Sequence, residues 1–214
     1  MEKERGRFIV MEGLDGSGKS THVRSLAKRI REEEGRQVFA TAEPTDTVVG
    51  GLIREALSGS IQRGPEELAA LFLADRITHN VAARNGIEMY LQSGVDVVCD
   101  RYYYSSLAYQ GMDSDLRWVT DMNLNCPAIR RPDMCIFLDL DTATCMEHIH
   151  KGRVHFEIFE DGETIERTRA QFQKVFAALG DGEHIFVVDA GREKDEVDEE
   201  IYSIVKNFSF DLSK

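Results

Sequence analysis

The stretch GLDGSGKST, near the start of the chain, contains the residue types that bind phosphate. Gly13, Gly18, Lys19 and Ser20 fit the pattern G-x-x-x-x-G-K-[ST], whose backbone N–H groups surround phosphate oxygens. The lysine of this pattern reaches the β- and γ-phosphates, and the hydroxyl after it binds Mg²⁺. The alternative, a glycine-rich turn with an incidental lysine, leaves the apolar run before it and the amphipathic run after it unexplained. We predict an ATP-binding loop made of Gly13, Leu14, Asp15, Gly16, Ser17, Gly18, Lys19, Ser20 and Thr21.

A second charged pair ends another apolar segment, VDVVCD, where Asp100 is followed by Arg101. If that segment is a strand of a parallel sheet, the pair lies at the edge where such sheets bind ligands. A carboxylate there suits a Mg²⁺ site shared with Ser20, and a guanidinium suits a two-point clamp on phosphate. The alternative is a surface ion pair, which would ignore the position. We therefore expect metal ligation by Ser20 and Asp100.

A third pair lies in the segment LFLADRITH. Phe72 and Arg76 are four residues apart, so they share one face of a helix. An aromatic ring that stacks and a guanidinium that hydrogen-bonds would suit a nucleobase. Core packing of Phe72 is the alternative interpretation.

These residues need a scaffold, and the hydrophobic pattern predicts one. Short apolar segments alternate with longer amphipathic ones, and the predicted strands are RFIVME, RQVFAT, VDVVCD, DMCIFLDL and EHIFVVD. Helices are predicted for THVRSLAKRIREEEG and VGGLIREALSG. One long helix is predicted with Pro65 in its first turn and Gly94 just past its end. This alternation indicates an α/β fold with a five-stranded parallel sheet covered by helices on both faces. Without repeats or a linker, residues 1–214 are expected to form a single domain.

Composition narrows the function classes. The chain has 214 residues and a formal net charge of −12, which argues against nucleic acid as a partner. No apolar stretch is long enough to span a membrane, and no signal peptide is recognisable. The cysteines show no metal-binding spacing, so reduced, mostly buried thiols in the cytoplasm are expected for Cys99, Cys126, Cys135 and Cys145.

Taken together, the motifs resemble those of thymidylate kinases, which phosphorylate dTMP with ATP. The resemblance runs from FIVMEGLDGSGKST through EPT, LFLADR, DRYYYSSLAYQG and RPDMCIFLDLD to VVDA, and so covers nearly the whole chain. It implies the three-layer fold of P-loop nucleoside monophosphate kinases, Mg²⁺ as cofactor, and a homodimer. It also implies that the substrates are ATP and dTMP, in the synthesis of dTTP.

The resemblance also implies roles for individual residues. Asp15 would approach the sugar 3′-hydroxyl and the acceptor phosphate, which Arg101 would hold. Phe72 would stack on thymine and Arg76 would bond to its O4. Tyr109 would pack beneath the deoxyribose and exclude a 2′-hydroxyl. Further candidates for dTMP binding are Glu43, Arg54, Ser106 and Gln110.

The chain departs from the family pattern around the transferred phosphoryl group. Gly16 stands where some members carry an arginine, and Ala42 stands where REP motifs have one. The lid segment, residues 148–162, is therefore expected to supply the missing guanidinium through Arg153. Arg167 or Arg169 is the alternative source. The predicted catalytic set is Asp15, Lys19, Arg101 and Arg153.

Two other functions stay open from the sequence. Another deoxynucleotide or deoxynucleoside kinase would share the ATP loop and differ in its acceptor. A nucleotide-binding regulator would bind ATP without turnover. Arg54 and Arg101 favour a phosphorylated acceptor, because a nucleoside has no phosphate for two arginines to hold.

Overall fold

A computed structural model describes residues 4–152 and 162–212. Its centre is a five-stranded sheet in the order β2-β3-β1-β4-β5, in which all neighbouring strands are parallel. The strands are β1 (Phe8–Gly13), β2 (Val38–Ala42), β3 (Asp96–Asp100), β4 (Met134–Asp139) and β5 (Ile185–Asp189). The predicted α/β fold with a five-stranded parallel sheet is confirmed, and each strand overlaps its predicted segment.

Helices cover both faces of the sheet. They are α1 (Lys19–Glu34), α2 (Val48–Leu57), α3 (Pro65–Val81), α4 (Ile87–Gln92), α5 (Tyr103–Asp113), α6 (Leu116–Leu124), α7 (Thr142–Gly152), α8 (Gly162–Leu179) and α9 (Lys194–Asn207). Among the helices in residues 4–152 and 162–212, none is long and apolar enough to cross a membrane.

The pleat of the strands divides the core in two. In β1, Phe8 and Val10 pack into one hydrophobic cluster, while Ile9 and Met11 pack into another. The first cluster includes residues of α4, α5, α6 and α8, and the second includes residues of α1 and α9. All six residues of β1 are buried, and residues 8–11 form a continuous apolar run, as expected for a parallel strand covered on both faces.

The prediction of one long helix that begins at Pro65 and ends just before Gly94 was wrong. The structure has α3 and α4 in this region, separated by residues 82–86. The break follows from contacts with distant parts of the chain: the Asn80 side chain accepts hydrogen bonds from the Tyr102 hydroxyl and the Arg130 N–H. At Gly86 a Cβ would lie 2.5 Å from the Ala82 carbonyl oxygen, so the return of the chain needs a glycine.

The strand register sets the position of the site. Asp100 pairs with Met11 of β1 on one side and with Ala42 of β2 on the other. The segments that leave these three strands therefore emerge side by side. They are the glycine-rich loop after β1, the Glu43–Pro44 segment after β2, and Arg101 after β3.

Candidate active site

A cavity of about 550 Å³ lies at the carboxyl ends of these strands. The glycine-rich loop after β1, which we call the phosphate loop, forms one wall together with α1. Residues from β2, β3, α2, α3 and α5 form the other. Its lining residues are Asp15, Gly16, Gly18, Lys19, Ser20, Thr21, Ala42, Glu43, Pro44, Arg54, Leu57, Phe72, Asp100, Arg101, Ser105, Tyr109, Gln110 and His148. The remaining residues of the predicted ATP loop, Gly13, Leu14 and Ser17, are not in this lining.

Within residues 4–152 and 162–212, the lysine of the phosphate loop forms no ion pair with an acidic side chain. Lys19 is buried, and its Nζ donates to the Leu14 carbonyl at 2.7 Å. Burial, followed by the charge of Arg101, lowers the pKa of Lys19, although Asp15 and Asp100 oppose the shift. Gly18 starts α1 with a φ of 85°, a conformation that glycine adopts without strain. An anion entering the loop would thus meet a buried ammonium group and the N-terminus of a helix.

Arg101 crosses the cavity to the phosphate loop. Its Nη2 donates to Asp15 Oδ1 at 2.7 Å, and its Nη1 donates to Ser105 Oγ at 2.9 Å. Burial disfavours the charged form, but Asp15 and the other nearby acidic groups outweigh it and raise the pKa of Arg101. Arg101 has a φ of 66°, which is rare for a residue with a side chain, and its N–H donates to the Met11 carbonyl. This turn directs a permanent cation into the cavity.

Glu12, for which the sequence alone predicts no role, holds the residue that contacts Arg101. Its carboxylate accepts from the Ser105 hydroxyl at 2.6 Å and from the Tyr102 N–H at 2.8 Å. Burial raises the pKa of Glu12, against the lowering effect of Arg101 and of these hydrogen bonds. The only signal in the sequence is a carboxylate at the end of an otherwise apolar strand. Since Ser105 also contacts Arg101, Glu12 helps to hold that guanidinium.

Ser20 and Asp100 meet where the sequence analysis expects a metal. The Ser20 hydroxyl donates to Asp100 Oδ2, and both residues line the cavity. Hydroxyl and carboxylate oxygens are the hard ligands that Mg²⁺ prefers, and this ion takes most of its other ligands from water and phosphate. The residues therefore fit Mg²⁺.

The wall opposite the phosphate loop combines aromatic and polar side chains. Half-buried Phe72 packs against the cluster formed by Ile53, Ala56, Leu57 and Leu68, and it also faces the cavity. The Tyr109 hydroxyl donates to Asp15 Oδ2 at 3.2 Å, and its ring lies 5.3 Å from the Arg101 guanidinium carbon. Gln110 and Arg54 complete this wall, and the Arg54 Nη1 donates to the Thr45 carbonyl.

Arg76 and Ser106 lie behind the wall, outside the cavity lining. Arg76 is 1% exposed, and its Nε and Nη2 contact Glu43 Oε2 at 2.8 and 2.7 Å. Its Nη1 donates to Ser106 Oγ and Asn123 Oδ1. Glu43 also contacts His79 Nδ1 at 3.0 Å. Arg76 is thus connected to the cavity by Glu43, which lines it.

A buried carboxylate, Asp75, orders the loop that follows Pro44. It accepts from the Thr45 N–H at 2.7 Å and from the hydroxyls of Thr45 and Thr47. The Thr47 hydroxyl in turn caps α2 by accepting from the Gly50 N–H. This loop carries the carbonyl groups that Arg54 contacts. No local sequence pattern points to Asp75, His79 or Asn123, because their partners are distant in the chain.

A family model described as thymidylate kinase matches residues 11–201. The chain belongs to the thymidylate kinase family. It is 38% identical over 209 residues to a probable thymidylate kinase of Pyrococcus abyssi, covering 95% of this chain and 97% of the relative. It is 34% identical over 202 residues to a probable thymidylate kinase of Methanocaldococcus jannaschii, covering 94% and 96%.

A solved structure shares the fold. The thymidylate kinase of Candida albicans superposes with a TM-score of 0.79 at 24% identity, covering 95% of this chain and 92% of that one. At this identity the comparison establishes the shared fold, as the resemblance implied.

The predicted lid segment, residues 148–162, is only partly described. Arg153 lies outside the described residues, so its predicted role stays a prediction. Arg169 pairs with Asp139 through two hydrogen bonds of 2.8 Å, whereas Arg167 is exposed on α8. Of the described lid residues, His148 lines the cavity.

Proposed function

We propose that this kinase transfers the γ-phosphoryl group of ATP to dTMP, giving dTDP and ADP in dTTP synthesis. The observation that carries the proposal is the cavity that Lys19 of the phosphate loop lines together with Arg54 and Arg101. Two guanidinium groups opposite a triphosphate loop suit an acceptor that carries its own phosphate. Phe72 on the same wall offers a surface for a pyrimidine ring, and Tyr109 would pack beneath the deoxyribose.

The main barrier is repulsion between two polyanions. Two unit charges about 4 Å apart repel each other by about 4 kcal/mol at an effective dielectric constant of about 20. Lys19 and Arg101 would offset this repulsion. They would lower the barrier if they interact more strongly with the phosphoryl group in the transition state than in the bound substrates. The acceptor phosphate has a second pKa of about 6, so at neutral pH it is a nucleophile without a general base.

Asp15 would position groups rather than accept a proton. Its carboxylate contacts both Arg101 and the Tyr109 hydroxyl. An entering acceptor phosphate would bind the Arg101 guanidinium beside this carboxylate. The 3′-hydroxyl of the sugar would donate a hydrogen bond to the Asp15 carboxylate. Arg76 and Ser106 would support thymine recognition through Glu43, while Gln110 offers both an N–H donor and a carbonyl acceptor to the base.

We further propose that Ser20 and Asp100 hold Mg²⁺ together with the ATP phosphates. The ion would supply charge neutralisation and alignment of the β- and γ-phosphates. Arg153 is our candidate for the lid guanidinium. The net charge of −12 argues against nucleic acid as a partner, and we propose a cytoplasmic homodimer, as the family resemblance implies.

A coupled assay of ADP release tests the function directly. With ATP and Mg²⁺, we expect turnover with dTMP, and much less with thymidine or without an acceptor. Faster turnover with thymidine would favour a nucleoside kinase, and a better substrate among other deoxynucleoside monophosphates would change the assigned acceptor. ATP binding without ADP release under every condition would favour a regulator.

A further inference from the structure

His148 connects α7, whose last residues belong to the predicted lid segment, to the phosphate loop. Its Nδ1 lies 2.8 Å from the carbonyl oxygen of Gly16. Because a carbonyl oxygen only accepts, Nδ1 must carry the proton and donate it. The side chain is exposed and lines the active-site cavity, so it spans two elements separated by 132 positions in the chain.

The backbone of α7 also touches the loop at Gly16. A Cβ built on Gly16 would lie 2.5 Å from the Cys145 carbonyl oxygen, and the φ of Gly16 is +82°. A larger residue here would be strained and would push α7 away. The absence of a side chain at position 16 thus lets α7 pack directly on the loop, with His148 one turn of helix later.

The hydrogen bond from His148 acts on a peptide unit that is also held at its other end. The Gly16 carbonyl accepts from His148, and the N–H of the same peptide, on Ser17, donates to the Leu14 carbonyl at 3.2 Å. Since the peptide unit is planar, two opposed hydrogen bonds define its orientation. The Leu14 carbonyl also accepts from Lys19 Nζ. The orientation of this peptide is therefore linked to the position of the catalytic lysine.

We propose that His148 is a positioning residue for the nucleoside triphosphate. It keeps the 16–17 peptide in the orientation in which the loop N–H groups converge on phosphate, so that ATP binds a loop already ordered. Without this contact, ATP would have to order the loop on binding, which weakens affinity. Among the described residues, His148 forms its hydrogen bond with Gly16 and none with the wall opposite the phosphate loop, which we call the acceptor wall, so acceptor binding should not change. The ATP-binding role rests on the proposed kinase function, but the contact itself does not depend on the acceptor.

The test uses three variants of the full chain. H148A removes the donor, and H148N restores an N–H on the atom that corresponds to Nδ1. H150A is the matched control: His150 is exposed on the same helix, and its Nδ1 contacts the Met146 carbonyl of that helix. The measurements are the Kd of a non-hydrolysable ATP analogue, the KM values for ATP and dTMP, kcat, and the thermal midpoint.

For H148A we expect a rise of about two- to tenfold in the analogue Kd and the ATP KM, the range for one hydrogen bond. The dTMP KM, kcat at saturating ATP and the thermal midpoint should stay near wild type. H148N should recover most of the affinity, and H150A should match wild type.

Three results would overturn the proposal. They are an unchanged analogue Kd in H148A, a loss in H148N as large as in H148A, and equal damage to both substrates with a lower thermal midpoint. Analogue binding needs no acceptor, so a wild-type protein that fails to phosphorylate dTMP would refute the proposed function without affecting this test.

Discussion

The two walls of the cavity hold their cations in different ways. On the phosphate-loop wall, Lys19 donates to a backbone carbonyl and forms no ion pair with any residue the structure describes. On the opposite wall, Arg101 lies 2.7 Å from Asp15, and behind that wall Arg76 lies 2.7 Å from Glu43. Both guanidinium groups already have carboxylate partners.

This difference assigns different tasks to the two cations. Among the described residues, no carboxylate lies within ion-pair distance of Lys19, whose Nζ donates to a carbonyl, so an incoming phosphate would be the first anion in direct contact with it. Arg101 already pairs with Asp15, so a phosphate that binds Arg101 would either replace Asp15 or bind beside it. Lys19 should therefore contribute mainly charge, and Arg101 mainly the geometry of its planar fork.

The largest effect is expected for Lys19→Ala. Removal of this charge should lower kcat by on the order of 10³, at the upper end for the loss of one transition-state contact. The ADP-release assay gives kcat, and circular dichroism checks that the variant folds. Lys28→Ala is the matched control, since Lys28 lies on the same helix with its side chain 71% exposed. If the Lys19 variant kept more than a tenth of wild-type kcat, the lysine would not be the main charge on this wall.

Arg101→Lys should have the next largest effect. Lysine keeps the charge but loses the two-point geometry, so kcat/KM for dTMP should fall by on the order of 10², as for the loss of a positioned transition-state contact. The ATP KM should change little. Arg117→Lys, at an exposed position on α6, is the control. Full activity in the Arg101 variant would show that charge alone is needed there, and the two walls would then work alike.

The contrast between the walls also explains what the sequence could predict. The phosphate loop is contiguous, so its residues and its place after β1 follow from one motif. The acceptor wall is assembled from distant segments. The spacing of Phe72 and Arg76 places them on one helical face. The partners of the Arg76 guanidinium do not follow from spacing, because Glu43 is 33 positions and Asn123 is 47 positions away from Arg76 in the chain. Glu12, Asp75 and the break after α3 could not be predicted for the same reason, because each depends on contacts with residues that are distant in the chain.

Phe72→Ala tests whether the acceptor wall recognises a base. Stacking on an aromatic side chain is worth about 1–3 kcal/mol per base, so the KM for dTMP should rise by about 5- to 150-fold while that for ATP stays the same. Leu71→Ala is the matched control, because Leu71 packs on the same hydrophobic cluster but does not line the cavity. If both variants lose only stability, Phe72 is a core residue, the alternative left open by its sequence pattern.

The smallest effect is expected for Tyr109→Phe, which separates the hydroxyl of this residue from its ring. Burial and the charge of Asp15 raise the pKa of Tyr109, so its hydroxyl stays neutral at physiological pH and donates to Asp15. Losing this hydrogen bond should lower kcat/KM by about two- to tenfold, because Arg101 still holds the carboxylate. The ring remains, so the preference for dTMP over ribothymidine monophosphate should persist in Tyr109→Phe and weaken in Tyr109→Ala. Steady-state kinetics with both acceptors measures this. A loss in Tyr109→Phe as large as in Arg101→Lys would mean that the hydroxyl, rather than the ion pair, holds Asp15 across the cavity.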